Sequence, residues 1–235
     1  AGAGAGMAGM IANILGGAGA TNNLVFGFDH ANAIVITGNH IGQATGLLSG
    51  TTAGNGTVSV RVNNDSMLGT VTVNRGVTLN INGTVTTPIG TGIVTALGGT
   101  ISTDTASAAQ FGNTDFRLYG GSTLLLDNSA VTTANVDRRL LPATNIDLTS
   151  SILRLIGDGA TLGATSSQTI NSLDYQGGNT LSLDNDIATQ ATRLTTLTTG
   201  SLNRLGQGTL TIRSISNIAG TLGTAAGTQK LIATA

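Results

Sequence analysis

The chain of 235 residues lacks cysteine, tryptophan and glutamate, and Lys230 is its single lysine. The absence of cysteine excludes disulfides and thiolate metal sites, and it is common in exported bacterial fibres, which favours an extracellular location. Without glutamate and with almost no lysine, the chain lacks the two best charged helix formers, whereas its abundant threonine, valine and isoleucine favour strands. The composition therefore predicts an all-β protein.

Charged residues make up 9% of the chain and aromatic residues 3%, and the net charge is −1. Nucleic-acid binding needs a basic surface and aromatic stacking platforms, and neither is present. No run of about 18 or more apolar residues predicts a transmembrane helix. The chain starts at Ala1 without a basic leader region, so we expect a mature protein or an excised segment. A hydrophobic fraction of 40% with regular alternation argues against disorder.

A four-residue motif in which polar and aliphatic residues alternate, as they do along a β-strand, recurs along the chain. Each copy of this motif is called a word below. Residues 209–212 read Thr-Leu-Thr-Ile, and related words begin at Thr57, Thr78, Thr100, Thr123, Ile152 and Thr180. The interval is 21 residues from Thr57 to Thr78 and 29 residues from Thr123 to Ile152, which suits one solenoid coil per repeat. Because side chains alternate along a strand, we predict that the second word positions stack as an inward aliphatic ladder. The ladder residues are Val58, Leu79, Ile101, Leu124, Leu153, Leu181 and Leu210.

A second hydrophobic segment precedes most words, and glycines lie between the two. It starts seven residues before the word at Val71, Ile93, Phe116, Leu173 and Leu202, whereas Asn145 breaks the pattern. Glycine reaches positive φ without strain, so it would turn the chain sharply between two short strands. We predict a single-stranded parallel β-helix of about eight coils, roughly 40 Å long. A β-sandwich is the alternative fold, but few dipeptides suited to hairpin turns join the words.

Two regions are expected within this organisation. Residues 1–22 would form a low-complexity N-terminal tail or cap, in which residues 7–15 are the best helix candidate. Residues 23–235 would form the β-solenoid. The coils lengthen from Phe116 onward, and longer loops on one flank of a solenoid are where binding surfaces usually lie.

Few residues have the chemistry of a catalytic or metal site. The two histidines, His30 and His40, lack the spacing of a helical metal pair. Residues 184–186 (Asp-Asn-Asp) offer oxygen ligands for calcium, but ending a strand and starting a turn is the better interpretation. Asp104 and Asp127 would lie about 5 Å apart on adjacent coils, as a retaining glycosidase pair requires, yet no aromatic subsite accompanies them. We therefore predict no catalytic residue, no metal site and no cofactor.

One segment resembles a known repeat family. Residues 206–212 read Gly-Gln-Gly-Thr-Leu-Thr-Ile and follow Leu-Asn-Arg-Leu at residues 202–205. This resembles the Gly-x-Gly-Thr-Leu-Thr-Leu signature of autotransporter-associated β-strand repeats, and residues 177–183 are a looser match. The resemblance covers residues 116–213. It implies a right-handed parallel β-helix that is exported to the bacterial surface as a stalk, adhesin or matrix component, without shared catalytic residues.

The expected function is that of an extracellular structural or adhesive β-solenoid module of a bacterial surface or secreted protein, not that of an enzyme. Its partners would be further copies joined end to end into filaments, because open coil ends are sheet edges, or a host or matrix surface. A carbohydrate-binding or carbohydrate-cleaving β-helix is the alternative. Residues 137–139 (Asp-Arg-Arg), in the longest loop, are interpreted as a solvated turn rather than a partner contact.

Overall fold

The computed structural model describes residues 22–28, 33–36, 44–50, 56–60, 71–81, 88, 92–103, 110–112, 115–129, 139–157, 165–185, 194–214 and 230–234. Consecutive strands along these residues alternate between two sheets. The first sheet contains β1 (Asn22–Phe28), β3 (Ala44–Gly50), β5 (Val71–Asn74), β7 (Ile93–Leu97), β9 (Asp115–Tyr119), β11 (Asn145–Thr149), β13 (Thr165–Gln176), β15 (Leu194–Arg204) and β17 (Lys230–Ala233). The second contains β2 (Ala33–Ile36), β4 (Gly56–Val60), β6 (Val77–Ile81), β8 (Thr100–Thr103), β10 (Thr123–Asp127), β12 (Ile152–Gly157), β14 (Gly178–Asn185) and β16 (Thr209–Arg213).

Both sheets are parallel and follow the order of the chain. The first runs from β1 to β17 and the second from β2 to β16, so each passage of the chain adds one strand to each sheet. Seven strands of the first sheet and six of the second lie from β5 onward, where side chains are described as well. The prediction of an all-β protein with parallel sheets is confirmed, and the arrangement is consistent with a parallel β-solenoid. The β-sandwich alternative is wrong, because every pair of neighbouring named strands is parallel.

The register of the second sheet places aliphatic residues opposite one another from strand to strand. Leu79 pairs with Ile101, and Leu124 pairs with both Ile101 and Leu153. We call such a column of paired residues a file. The side chains from Leu79 to Leu181 in this file are at most 2% exposed, so the stacking excludes water from the interior. Burial of each leucine or isoleucine contributes about 1.5–3 kcal/mol. The complete file is Ile34, Val58, Leu79, Ile101, Leu124, Leu153, Leu181 and Ile212.

The predicted position of Leu210 in this file is wrong. Leu181 pairs with Ile212, and Leu210 pairs instead with Asn179. The turn before β16 causes the shift, because four residues separate β15 from β16 whereas Gly177 alone separates β13 from β14. The displacement is two residues, which keeps the same face of the strand inward. Leu210 and Ile212 accordingly both pack against the core, though each is only partly buried.

A similar adjustment occurs in the first sheet. Phe116 pairs with Val94 and with Ile146, so the predicted Ile93 position is one residue out of the inward file, and Ile146 fills the place at which Asn145 broke the pattern. A shift of one residue exchanges the two faces of a strand. Ile93 is therefore only partly buried, whereas Val94 is fully buried. The inward file runs Val71, Val94, Phe116, Ile146, Leu173 and Leu202.

The turns that join a strand of the first sheet to the next strand of the second sheet contain residues with positive φ, as the glycine pattern predicts. Gly76, Gly98, Gly177 and Gly206 have φ between 57° and 80°. Ser150 occupies the corresponding turn between β11 and β12 with φ 53°, and it is the one non-glycine residue of this kind in the described part of the chain. A left-handed conformation costs an L-residue about 1–2 kcal/mol that glycine does not pay.

We expect Ser150→Gly to stabilise the protein by about 0.5–1 kcal/mol, because relief of the left-handed strain exceeds the added chain entropy of glycine. Gly177→Ala is the matched opposite change, since a Cβ at Gly177 would lie against Ser150 Oγ in addition to having φ 70°. Urea unfolding of both variants measures the two effects. A Ser150→Gly protein less stable than the parent chain would contradict the strain at this turn.

The N-terminal tail or cap predicted for residues 1–22 lies, apart from Asn22 in β1, outside the described residues. Strands do begin close to the predicted start of the solenoid region, with β1 and β2 in the two sheets. Towards the other end, β17 pairs in parallel with β15.

Candidate functional site

The outer face of the first sheet contains a row of polar side chains that the register aligns from strand to strand. Arg117 pairs with Asp147, Asp147 with Asp174, and Asp174 with Asn203. These residues alternate with the buried positions Phe116 and Leu118, Ile146 and Leu148, and Leu173, so that period-two alternation directs them away from the core. We name Asp115, Arg117, Asp147, Asp174 and Asn203 the carboxylate row.

Two carboxylates of this row, those of Asp147 and Asp174, lie on the neighbouring strands β11 and β13. Their Cα atoms are direct partners in the β11–β13 pair, about 4.8 Å apart by the spacing of parallel strands. Asn203 Nδ2 donates a hydrogen bond of 2.7 Å to Asp174 Oδ1. Arg117 Nε lies 3.6 Å from Asp147 Oδ2, and both of these side chains are about half exposed, 50% and 42%. The ion pair is therefore worth little, because solvent screens it.

Burial raises the pKa of the Asp147 carboxyl above its ordinary value, and the neighbouring Asp174 carboxylate raises it further. Arg117 acts in the opposite direction and lowers this pKa, while Asp115 adds a smaller increase. Desolvation and like charge thus outweigh the attraction of a guanidinium that lies 3.6 Å away. The row consequently contains a carboxyl group that takes up a proton more readily than an isolated aspartate does.

We expect Asp147→Asn to raise the stability of the protein at neutral pH by less than about 1 kcal/mol, since the group is half exposed. The folded pKa exceeds the unfolded one, so the stability contributed by Asp147 is complete below the unfolded pKa and is lost as pH rises through the folded pKa. Melting temperatures of both proteins from pH 3 to 8 should therefore converge at acidic pH. A difference that grows on acidification would contradict the direction of the shift.

Amide side chains form a ladder along one margin of the same face. Asn171 Nδ2 and Ser172 Oγ donate hydrogen bonds of 2.8 Å and 2.9 Å to Asn145 Oδ1. The backbone N–H of Asn145 in turn donates to Asp115 Oδ1 at 2.8 Å. On the next strand Gly200 follows at the same corner, where a Cβ would approach Asn171 O to 2.7 Å. These bonds fix the side chains at the bend of the chain, so they have a structural role.

The other margin of the face is more apolar. Leu97 pairs with Tyr119, and Tyr119 pairs with Thr149. Leu97 is 47% exposed, and Leu205 at the end of β15 is 44% exposed. Tyr119 is partly exposed on this face, and a tyrosine can contact a sugar ring because the ring face is apolar and the hydroxyls need acceptors. The face has the donors and acceptors of a carbohydrate-binding surface but one aromatic side chain in its described part.

The carboxylate pair that the sequence offers, Asp104 and Asp127, is expected on the second sheet and not in the carboxylate row. Asp104, and with it the predicted Asp104–Asp127 pair, lies outside the described residues. Asp127 pairs with Ile156, and Ile156 pairs with Asp184, which leaves an isoleucine between the two carboxylates. In the first-sheet strands, Asp147 and Asp174 each lie between two hydrophobic residues, Ile146 and Leu148 or Leu173 and Tyr175.

Asp127 and Asp184 form hydrogen bonds at the ends of β10 and β14. Asp127 Oδ1 accepts a hydrogen bond of 2.9 Å from the Ser129 N–H, as an aspartate at a turn does. Asp184 is 1% exposed, and its Oδ2 accepts from Arg154 Nε at 2.6 Å while Oδ1 accepts from Ser182 Oγ at 2.9 Å. Asp186 is not among the described residues. Within the described ranges, no group of three or more histidine, cysteine or acidic side chains could hold a metal ion.

The predicted solvated turn at residues 137–139 is wrong for Arg139, and the other two residues lie outside the described ranges. Arg139 is 1% exposed. Its Nε donates to Asn128 Oδ1 at 2.6 Å, and its Nη2 donates to the Asp127 carbonyl at 2.8 Å. The Asn128 side chain and the Asp127 carbonyl lie where β10 ends, and the guanidinium, with its five donors, donates to both. Arg139 is therefore part of the folded core.

The histidines His30 and His40 lie outside the described residues, and the structure adds nothing to their interpretation. No protein-family model, curated protein or solved structure matches the chain. The similarity to autotransporter-associated repeats therefore stays a prediction from residues 206–212. A helix with the length and apolar character to cross a membrane is absent from the part of the chain that the structure describes.

Proposed function

We propose that the chain is a non-catalytic structural or adhesive module, a rigid β-solenoid that acts outside the cell as part of a bacterial surface or secreted protein. One observation supports it most: the file from Ile34 to Ile212 pairs residue with residue across all eight strands of the second sheet. At about 4.8 Å per rung the file is roughly 34 Å long. About eight coils, wound to the right as in the autotransporter repeats, would give this geometry.

The pattern of hydrogen bonds suits a mechanical role. Successive parallel strands bond to each other along the direction of the file, so a load along that axis acts on many backbone bonds together. The interior is filled by short aliphatic side chains with Phe111 and Phe116 packed edge to face, their ring centroids 5.1 Å apart. Among the outward positions, Asn80, Thr95 and Asn203 are at least partly exposed, and their amides and hydroxyl would be available to a host or matrix surface.

Immunolabelling of intact cells of the source organism tests this location and role. Antibodies raised against the purified chain should label unpermeabilised cells or the surrounding matrix, and bound antibody should reduce attachment of the cells to a surface. Labelling that requires permeabilised cells would contradict the proposal. Antibodies against a cytoplasmic enzyme provide the matched control for membrane integrity.

The Asp147–Asp174 pair favours a second function, carbohydrate binding or cleavage. Retaining glycosidases hold two carboxyl groups about 5–5.5 Å apart and raise the pKa of the acid. Pairing on neighbouring strands places the Cα atoms of Asp147 and Asp174 about 4.8 Å apart, and the pKa of Asp147 is raised. Incubation with a panel of acidic and neutral oligosaccharides, followed by chromatography, would show cleavage that Asp147→Asn abolishes. Asp127→Asn, at a turn on the other sheet, is the control, and an unaltered panel would exclude cleavage of those sugars.

A further inference from the structure

We propose that the outer face of the first sheet, from β7 to β15, binds a polysaccharide of amino sugars whose amines are free and protonated. The carboxylate row would pair with the ammonium groups, and a second, parallel row would pack against the faces of the sugar rings. The inference rests on the proposed adhesive role, and it names the class of partner and the surface that binds it. All residues of this surface lie in or directly after the described strands β7, β9, β11, β13 and β15.

The second row lies two residues along each strand from the carboxylate row. Leu97 pairs with Tyr119, and Thr149 pairs with both Tyr119 and Gln176. Leu205, one residue beyond the end of the β13–β15 pairing, extends this row beside Gln176. Leu97 and Leu205 are 47% and 44% exposed, and they lie about 19 Å apart across four strand intervals. We name Leu97, Tyr119, Thr149, Gln176 and Leu205 the corner row, which offers apolar contacts at both ends and hydrogen-bonding groups between them.

The centre of this face is negatively charged. The outward positions of the five strands carry three carboxylates, those of Asp115, Asp147 and Asp174, and one guanidinium, that of Arg117, so their net charge is −2. Arg204, at the end of β15, takes the alternate position and belongs to neither row. Charge complementarity therefore favours a cationic partner and disfavours contact between two copies of this face.

The Asp147 and Asp174 carboxylates keep acceptor positions for an external donor. Like charges directly opposite each other on neighbouring strands are destabilising, and a bound cation would relieve this repulsion. Within the described part of the chain, Asn203 is the one side-chain donor to Asp174, and Arg117 is the one ion-pair partner of Asp147. A carboxylate can accept about four hydrogen bonds. The fold thus places two incompletely paired carboxylates side by side on a partly exposed face.

A sugar polymer fits this face better than a peptide strand does. An extended peptide adds to the edge of a sheet, whereas these two rows lie on the face of one. The interval between neighbouring strands, about 4.8 Å, is close to the length of one sugar unit in an extended polysaccharide. A polymer along the solenoid axis would therefore present one ring to each strand, with its apolar faces on Tyr119 and its hydroxyls near Thr149 and Gln176. Gln176 Nε2 donates to Thr149 Oγ1 at 3.0 Å, which orders both side chains before a ligand binds.

Isothermal titration calorimetry with two matched oligosaccharides tests the proposal. The hexamers of glucosamine and of N-acetylglucosamine share one backbone and differ in the charge on the nitrogen. At pH 6 we expect the glucosamine hexamer to bind at least tenfold more tightly, with a dissociation constant that rises with salt. Equal affinity for the two hexamers, or binding of neither, would overturn the proposal. Hexalysine that binds as tightly as the glucosamine hexamer would overturn it too, because the face would then recognise charge alone.

Substitutions in the two rows locate the contact. Asp147→Asn combined with Asp174→Asn keeps the shape of both side chains, and we expect the dissociation constant of the glucosamine hexamer to rise about tenfold or more. Tyr119→Ala should raise it about threefold to tenfold, with little dependence on salt. Asp127→Asn, at a turn on the other sheet, is the control and should leave it unchanged. Unchanged binding in the double variant, or equal loss in the control, would contradict binding at this face.

Failure of this inference can be told apart from failure of the proposed function. A chain that is labelled on intact cells but binds both hexamers equally would keep its role at the surface and lose the amino-sugar partner. A chain that binds the glucosamine hexamer but is labelled only in permeabilised cells would keep the binding face and lose the extracellular role.

Discussion

Leu124→Ala is expected to lower the free energy of unfolding by about 2–5 kcal/mol, the range for leucine truncation in a packed core. Leu124 is 0% exposed, and it pairs with Ile101 on one side and with Leu153 on the other. Removal of its branched side chain therefore opens a cavity between three rungs of the file. Urea unfolding followed by circular dichroism measures the loss.

Leu125→Ala is the matched control for that experiment. Leu125 follows directly in β10 but points outward and is partly exposed, between Ser102 and Arg154 in the outer file. The same chemical change at this position should cost less than about 1 kcal/mol. Equal losses at Leu124 and Leu125 would contradict the assignment of inner and outer faces.

Arg139→Met is expected to destabilise the protein by about 2–5 kcal/mol, although it replaces a charged residue by an apolar one of similar length. Arg139 donates to Asn128 Oδ1 and to the Asp127 carbonyl, and both residues are at most 9% exposed. Each buried acceptor left without a donor costs about 1–3 kcal/mol. Thermal or urea unfolding of the purified variant measures the effect.

Arg117→Met provides the comparison on the surface. The Arg117 side chain is 50% exposed and lies 3.6 Å from Asp147, so its loss should change stability by about 1 kcal/mol or less. Replacement of the core arginine should therefore lower the free energy of unfolding several times more than replacement of the surface arginine. Tolerance of Arg139→Met equal to that of Arg117→Met would show that the guanidinium is not needed where the chain leaves the second sheet.

The alternation of the strand words was sufficient to predict strand positions, and the repeat spacing was sufficient to predict parallel stacking. Both features depend on local physics: period-two burial selects strands, and glycine at positive φ turns the chain between them. Ile101, Leu124 and Leu153 therefore pair as their word positions suggest. The reason is that the turns before β8, β10 and β12 differ in length by at most one residue.

Register over variable turns could not be predicted by fixed counting. The four residues between β15 and β16 shift Leu210 by two positions, and the first-sheet file passes through Val94 rather than Ile93. A count of residues assumes that every turn has the same length, whereas burial selects whichever apolar residue faces inward. The position of the inward hydrophobic side chain, and not the number of residues between repeats, therefore determines which residues pair between neighbouring strands.

The carboxylate row and the buried arginine were missed for a different reason. Asp147 and Asp174 are 27 residues apart in a chain rich in aspartate, and only strand pairing makes them neighbours. Arg139 follows two other charged residues, a pattern typical of a solvated turn, yet the acceptors that bury it come from the end of β10. Long-range partners of polar groups depend on the fold, so single-sequence patterns do not contain them.

Distances between spin labels along one outer file test the stacking of the repeats most directly. Thr78, Thr100, Thr123, Ile152, Thr180 and Thr211 are successive partners in the second sheet. With cysteines for attachment, the pairs Thr78–Thr180 and Thr100–Thr211 both span four rungs and should give the same distance of about 19 Å. The pair Thr78–Thr211 should be about 5 Å longer. Unequal distances for the two four-rung pairs, or no increase for the fifth rung, would contradict the stacking of each repeat on the one before it.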